Sequence, residues 1–155
     1  MTYRITGLDP KPFRPLFALS DEELAVRDVV RMTVTEKPSF PCGVTLEDRE
    51  VGEKVLLLNH VSQDGGPYHA SHAIFVSDGA PATFVDEVPP LFSRVLSLRA
   101  FDEHGMMIEA ALAQPGEADT IIRKLLANEL VDHIDAHNAT RGCFSARIER
   151  SAATA

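Results

Sequence analysis

Short apolar segments of strand length, separated by turn residues, recur along the chain and limit what it can fold into. The run Lys54–Val61 is uninterrupted, as in a buried strand, and Ala70–Ser77 is a second segment of this kind, ended by Asp78-Gly79. Met106–Ala113 follows the hairpin-turn residues Asp102–Gly105. Connections this short join neighbouring antiparallel strands, so the pattern predicts a mostly antiparallel sheet.

Two helices are predicted beside about seven strands. Ser20 to Glu23 matches a capping box that begins a short helix. Pro115 to Asp119 opens a second helix, which has an acidic first turn and an apolar stripe. The other predicted strands are 3–8, 29–35, the end of 91–101, 131–138 and 143–148. The expected fold class is therefore α+β: a single compact domain with about two helices packed on the sheet.

The segment 131–138 has two interpretations. Leu126, Leu130 and Ile134 would share one face if the second helix continued through it. We favour a strand, because a helix of more than about twenty residues would lack support near Asn138.

Composition and charge limit the class of protein and its partners. The 155 residues are 45% hydrophobic and 25% charged, which predicts one soluble domain over 1–150 with a frayed tail over 151–155. A net charge of -8 without any Lys/Arg-rich run disfavours nucleic acid and membranes as partners. No stretch resembles a signal peptide or membrane span, and two cysteines without a C-x-x-C motif fit a reducing compartment. We therefore expect a cytoplasmic location.

The segment Asp132–Cys143 has the densest set of reactive side chains. On a strand, His133, Asp135 and His137 share one face, and Ile134 and Ala136 on the opposite face suit the core. The His/Asp face is then expected to look toward solvent or a cleft. Asp135 and His137 would lie about 6.5 Å apart and could cooperate, whereas His133 and His137, about 13 Å apart, could not chelate one ion. The alternative is a solvated polar face.

Two thiols are candidate nucleophiles. Cys143 lies near His137 in sequence, and Cys42 is the second candidate, with His137 or His72 as the base. The alternative is that both thiols are inert, since free cysteine is often buried. These four residues are of the types that zinc prefers and would form a ligand set if the fold brought them together, but nothing in their spacing indicates that it does. No metal and no cofactor are predicted.

Several blocks, taken together and in order, resemble a known family. They are Phe40-Pro41-Cys42, Val55–Leu58, Pro67–Val76, His137–Ala139 and Arg141–Ile148. The chain is similar over Tyr3–Arg150 to the bacterial family catalogued as domain of unknown function 1203. The resemblance implies a small, soluble, single-domain bacterial protein with no assigned reaction.

The resemblance also indicates which residues of this chain match the family pattern and which depart from it. Gly43 and His69 stand where the family usually has Arg, and Asp135 stands where His is common, which weakens a metal site built on His69 or Asp135. The positions that match are Cys42, Tyr68, Ser71, His72, His137, Asn138, Arg141, Cys143 and Arg147.

The sequence favours a binding domain without a recognisable catalytic motif. Its expected ligand is a small molecule, with anions among the candidates, or a protein partner. Homodimerisation through a sheet edge or an apolar face is a further alternative. The predicted ligand-binding residues are Tyr68, Ser71, His72, His137, Asn138, Arg141 and Arg147. The alternative is a thiol- or metal-dependent enzyme using Cys143 or Cys42 with His137 or His72.

Overall fold

The computed structural model describes residues 2–151 and arranges their strands in two sheets. The strands are β1 (Thr2–Thr6), β2 (Val30–Thr33), β3 (Lys54–Gln63), β4 (Ala70–Val76), β5 (Thr83–Val85), β6 (Leu96–Phe101), β7 (Met107–Ala113), β8 (His133–Asn138) and β9 (Phe144–Ser151). One sheet has the order β5-β1-β9-β8-β6-β7, the other has the order β2-β3-β4, and all these neighbours are antiparallel. The helices are α1 (Asp21–Val26) and α2 (Ala118–Leu126). The predicted α+β class is confirmed.

The strands divide between two sheets where we expected one. The sequence pattern of a strand does not indicate which other strand it pairs with. Strand β9 pairs with β8, its neighbour in sequence, but also with β1, at the other end of the chain. Strand β5 was not predicted, because three residues are too short for a recognisable alternation. Ser151, placed in the predicted tail, ends β9 and pairs with Thr2, and residues 152–155 lie outside the described residues.

Helix α1 begins as its sequence indicates, whereas α2 begins at Ala118, three residues after Pro115, where it was expected to open. The Glu23 N–H donates to Ser20 Oγ (3.1 Å), and the Ser20 N–H donates to the Glu23 carboxylate (3.2 Å), which forms the predicted capping box. After α2, the Arg150 guanidinium donates to the carbonyls of Leu126 and Asn128, so the helix ends and the chain continues as β8. No helix within 2–151 is long and apolar enough to cross a membrane.

The six-stranded sheet is covered on both faces. On one face, Ile122 and Leu125 of α2 join Leu96, Leu98 and Ile148 in the main core. The three-stranded sheet covers part of the other face. There the ring of His60 on β3 contacts that of Phe144 on β9, with 5.4 Å between ring centroids.

The His/Asp face of β8 is buried, so the expectation that it looks toward solvent or a cleft is wrong. His133, Asp135 and His137 are all buried, because the second sheet covers them. Asp135 does not orient His137; its carboxylate accepts two hydrogen bonds from Arg147, at 2.8 and 3.2 Å. Arg147 also donates to the Ser62 carbonyl of β3 (2.6 Å), so this ion pair joins the two sheets.

Candidate functional site

A cleft of about 540 Å³ opens between the edge of β4, the β8–β9 hairpin and the segments 38–43 and 91–95. Its apolar walls include Leu57, Ile74, Leu91, Val95 and Phe144. Its polar lining includes Arg94, His72, Asn138, Arg141, Cys143 and Ser145. This combination of an apolar body and a few polar groups is typical of small-ligand sites.

The β8–β9 hairpin holds one polar wall of the cleft in place. Gly142 adopts the left-handed conformation (φ 79°), which lets its N–H donate to the Asn138 carbonyl (2.7 Å). The Asn138 amide donates to Cys143 Sγ (2.9 Å) and accepts from Ser145 Oγ (3.3 Å). The register between β8 and β9 shifts between Ala136 and His137, so that His137 pairs with Phe144. These contacts fix the orientation of Asn138 and Cys143 at the cleft.

Two histidines meet beside this hairpin. The rings of His72 and His137 are in edge-to-face contact, with 4.9 Å between their centroids. Burial lowers the pKa of His137 to about 4, so its ring is neutral at pH 7. Its Nδ1 is 2.9 Å from the Gly142 carbonyl, which can only accept, so Nδ1 carries the proton.

His72 has a buried polar atom with no described partner. Its Nδ1 makes no hydrogen bond to residues 2–151, although the residue lines the cleft. Burial, and then the charge of Arg99, lower the pKa of His72, so the neutral ring is favoured. A buried polar atom of this kind costs free energy.

An arginine and a largely buried acid form a charged pair at the cleft. Arg94 Nη2 donates to Asp48 Oδ2 at 2.5 Å. The side chain of Asp48 is only 10% exposed and that of Arg94 is 28% exposed. Within the described residues, Arg94 has no second hydrogen bond and the other oxygen of Asp48 has none. Arg141, an exposed second cation on the same cleft, has no ion pair in that part of the chain.

The structure brings together some of the predicted ligand-binding residues and separates others. His72, Asn138 and Arg141 line the cleft, and His137 contacts the ring of His72. The other three lie elsewhere: Tyr68 packs edge-on against Phe101, Ser71 is exposed on β4 opposite Val61, and Arg147 pairs with Asp135.

The two candidate nucleophiles occupy different environments. Cys143 is half-buried at the cleft, whereas Cys42 is fully buried and its sulfur lies 3.1 Å from Ser77 Oγ. Both thiols are free. Among residues 2–151, no three His, Cys, Asp or Glu side chains are arranged to hold one metal ion, so the hypothetical zinc set is not assembled.

Sequence reasoning missed Arg94, Asp48 and Ser145. Arg94 and Asp48 are 46 residues apart, so no local spacing indicates that they pair. Ser145 lies in the last predicted strand, and nothing in the pattern of that strand distinguishes it from its neighbours. Two prolines shortly before Arg94 mark a turn, but they do not indicate a binding residue.

Comparison with known proteins gives one match. The family described as "Protein of unknown function (DUF1203)" matches residues 39–150, more than half of the chain, so the chain belongs to this family. The predicted resemblance is confirmed. No curated protein and no solved structure matches the chain.

Proposed function

We propose that this member of the DUF1203 family binds, in the cleft, a small ligand that carries an apolar body and an anionic group such as a carboxylate. The observation that carries the proposal is Arg94, which lines the cleft and is paired with the largely buried Asp48. The proposal assigns no chemical reaction to the site.

The buried acid makes Arg94 a prepared anion ligand. A guanidinium has five N–H donors, and Asp48 takes one of them. The ion pair holds the side chain before any ligand arrives, which reduces the conformational entropy lost on binding. The remaining donors match the planar, bidentate geometry of a carboxylate.

Charge around the cleft points to the same ligand class. The chain has a net charge of -8, yet the cleft is lined by Arg94 and Arg141. Asp48 offsets the charge of Arg94, so Arg141 supplies the net positive charge of the cleft. A positive charge in an otherwise acidic protein attracts an anion to that place. The neutral His72 and the amide of Asn138 add polar groups at the same cleft without adding negative charge.

The size and walls of the cleft suit a ligand with an apolar part. About 540 Å³ lies within the usual range of small-molecule pockets. Leu57, Ile74 and Phe144 supply apolar surface in the same cleft. Burying a ligand's hydrocarbon against them contributes roughly 25 cal/mol per Å² of apolar area.

Replacing Arg94 with methionine is expected to weaken binding of octanoate by about 10-fold or more, because a hydrogen bond to a charged group contributes about 1.5–3 kcal/mol. Calorimetric titration measures the affinities, with 1-octanol as the uncharged probe of equal chain length. Octanol is expected to bind the native protein more weakly than octanoate. The matched control is Arg27→Met, which removes an arginine at the end of α1, outside the cleft.

Two results would contradict this proposal. One is equal binding of octanoate and octanol by the native protein, which would remove the anionic group from the ligand class. The other is an unchanged affinity of Arg94→Met for octanoate, which would show that Arg94 does not bind the ligand.

A second candidate function, a thiol-dependent enzyme, is favoured by one contact. Asn138 donates to Cys143 Sγ (2.9 Å), which holds the sulfur in place at the cleft, where a nucleophile would meet a bound ligand. The test is the rate at which Cys143 is alkylated as a function of pH. A rate that is already maximal at neutral pH would favour the enzyme, and a rate that rises only at alkaline pH would count against it.

We also propose a cytoplasmic location. Its support is that Cys42 and Cys143 are both unpaired, as is usual in a reducing compartment.

A further inference from the structure

We propose that β7 pairs antiparallel with the β7 strand of a second copy of this chain, on a two-fold axis at Ala110. β7 is the outermost strand of the six-stranded sheet, so one side of its backbone has no strand partner among the described residues. It is seven residues long and contains no proline, lysine or arginine. Long edges without such protection are templates for pairing with another chain.

The other sheet edges are each protected. β5 has only three residues and is followed by Asp86 in the left-handed conformation (φ 56°). β2 has four residues, and its Arg31 donates to the carbonyls of Phe17 and Leu19. On β4, the Phe75 carbonyl accepts from the N–H of Gly43 (2.9 Å). Within residues 2–151, β7 therefore combines the length and the open backbone that pairing needs.

The hydrogen-bond pattern shows which residues of β7 direct their backbone outward. The Ala139 N–H donates to the Val95 carbonyl (3.1 Å), so residues 95, 97 and 99 direct their backbone groups toward β8. The alternate residues Leu96 and Leu98 then direct theirs toward β7, where they pair with Ala113 and Ala111. It follows that residues 110 and 112 direct their N–H and C=O groups away from the sheet.

The side chains of β7 are self-complementary about Ala110. A two-fold axis there places Ile108 of one copy opposite Leu112 of the other, and these side chains are 38% and 63% exposed. Ala110 meets its own copy, and the small side chains allow close approach. Cross-strand apolar pairs of this kind stabilise antiparallel sheets.

The charges on β7 also allow it to pair with the β7 strand of a second copy. Although the chain carries a net charge of -8, Glu109 is the sole charge on β7. In this register Glu109 lies opposite Ala111 of the other copy, so no like charges stand directly opposite each other. The resulting isologous contact closes as a dimer and joins two six-stranded sheets into one.

Sedimentation of the full chain tests the assembly. We expect a dimer for the native protein at micromolar concentration and a monomer for Leu112→Lys, since edge lysines oppose strand pairing. Val85→Lys, at the opposite edge on β5, is the matched control and should stay dimeric, because Val85 is exposed in the same way. A monomeric native protein, or a dimeric Leu112→Lys, would overturn the proposal.

Disulfide trapping tests the register. Hydrogen-bonded antiparallel neighbours have Cα atoms about 5.5 Å apart, within the range that a disulfide spans. Ala110→Cys is therefore expected to form a covalent dimer under mild oxidation. In Leu112→Cys the two new thiols would lie about 13 Å apart along the strands, so we expect no cross-link. Equal trapping of both variants, or trapping of Leu112→Cys alone, would overturn the register.

Discussion

Replacing Asp135 with alanine is expected to lower the free energy of unfolding by about 3 kcal/mol. The carboxylate is only 1% exposed, and it accepts two hydrogen bonds from Arg147 between the sheets. Its removal leaves the partly buried guanidinium without a counter-ion. Because Arg147 is one third exposed, the expected loss is at the lower end of the range for buried pairs. Urea denaturation followed by circular dichroism measures it.

Two controls separate the ion pair from the loss of side-chain volume. The double variant Asp135→Leu with Arg147→Met should lose less than the sum of the two single losses, because it leaves no unpaired charge. Glu50→Ala removes an acid from an exposed pair with Lys37 and is expected to cost less than about 1 kcal/mol. A change of under about 1 kcal/mol in Asp135→Ala would contradict a stabilising role for the buried pair.

Lowering the pH from 7 to 4 is expected to remove about 3 kcal/mol of stability through His137. Burial lowers the pKa of this ring from 6.5 to about 4. Below pH 6.5 the unfolded chain binds a proton that the folded ring does not, so stability falls with pH until the folded ring also titrates. Burial lowers the pKa of His60 and His72 as well, so both act in the same direction.

The contribution of His137 is isolated by comparing variants over the same pH range. His137→Gln should be less stable at pH 7, because it removes the ring contact with His72 and alters the hydrogen bond to the Gly142 carbonyl. Its free energy of unfolding should, however, fall less steeply between pH 7 and pH 4. His69→Gln, which removes an exposed imidazole, is the matched control. An unchanged pH dependence in His137→Gln would show that the ring titrates normally in the folded protein.

Local patterns were sufficient to predict most elements of the fold. The capping box at Ser20 forms because both of its hydrogen bonds join residues three apart in sequence. Helix α2 ends at Leu126, so 133–138 is free to form a strand. The sequence indicated this, because a helix continued to Asn138 would have lacked support there. Strand β5 and the division into two sheets could not be predicted, since neither depends on a pattern within one segment.

The candidate site was only partly predictable. The family resemblance selected His72, Asn138 and Arg141, which line the cleft, but it also selected Tyr68 and Arg147, which do not. The pairing of Arg94 with Asp48 spans 46 residues, so nothing in the neighbourhood of either residue indicated it. Contacts of this kind depend on how separate elements pack together.

The sequence by itself determined the fold class, the family and which side chains of β8 share a face. The tertiary structure alone decided what covers that face. Alternation places His133, Asp135 and His137 together because neighbouring residues of a strand point to opposite sides. Whether that side meets water or another sheet depends on long-range packing, and here the three-stranded sheet buries it. Of the polar residues on the β8–β9 hairpin, those available to a ligand are consequently the ones near its turn, among them Asn138, Arg141 and Cys143, which line the cleft together with Arg94.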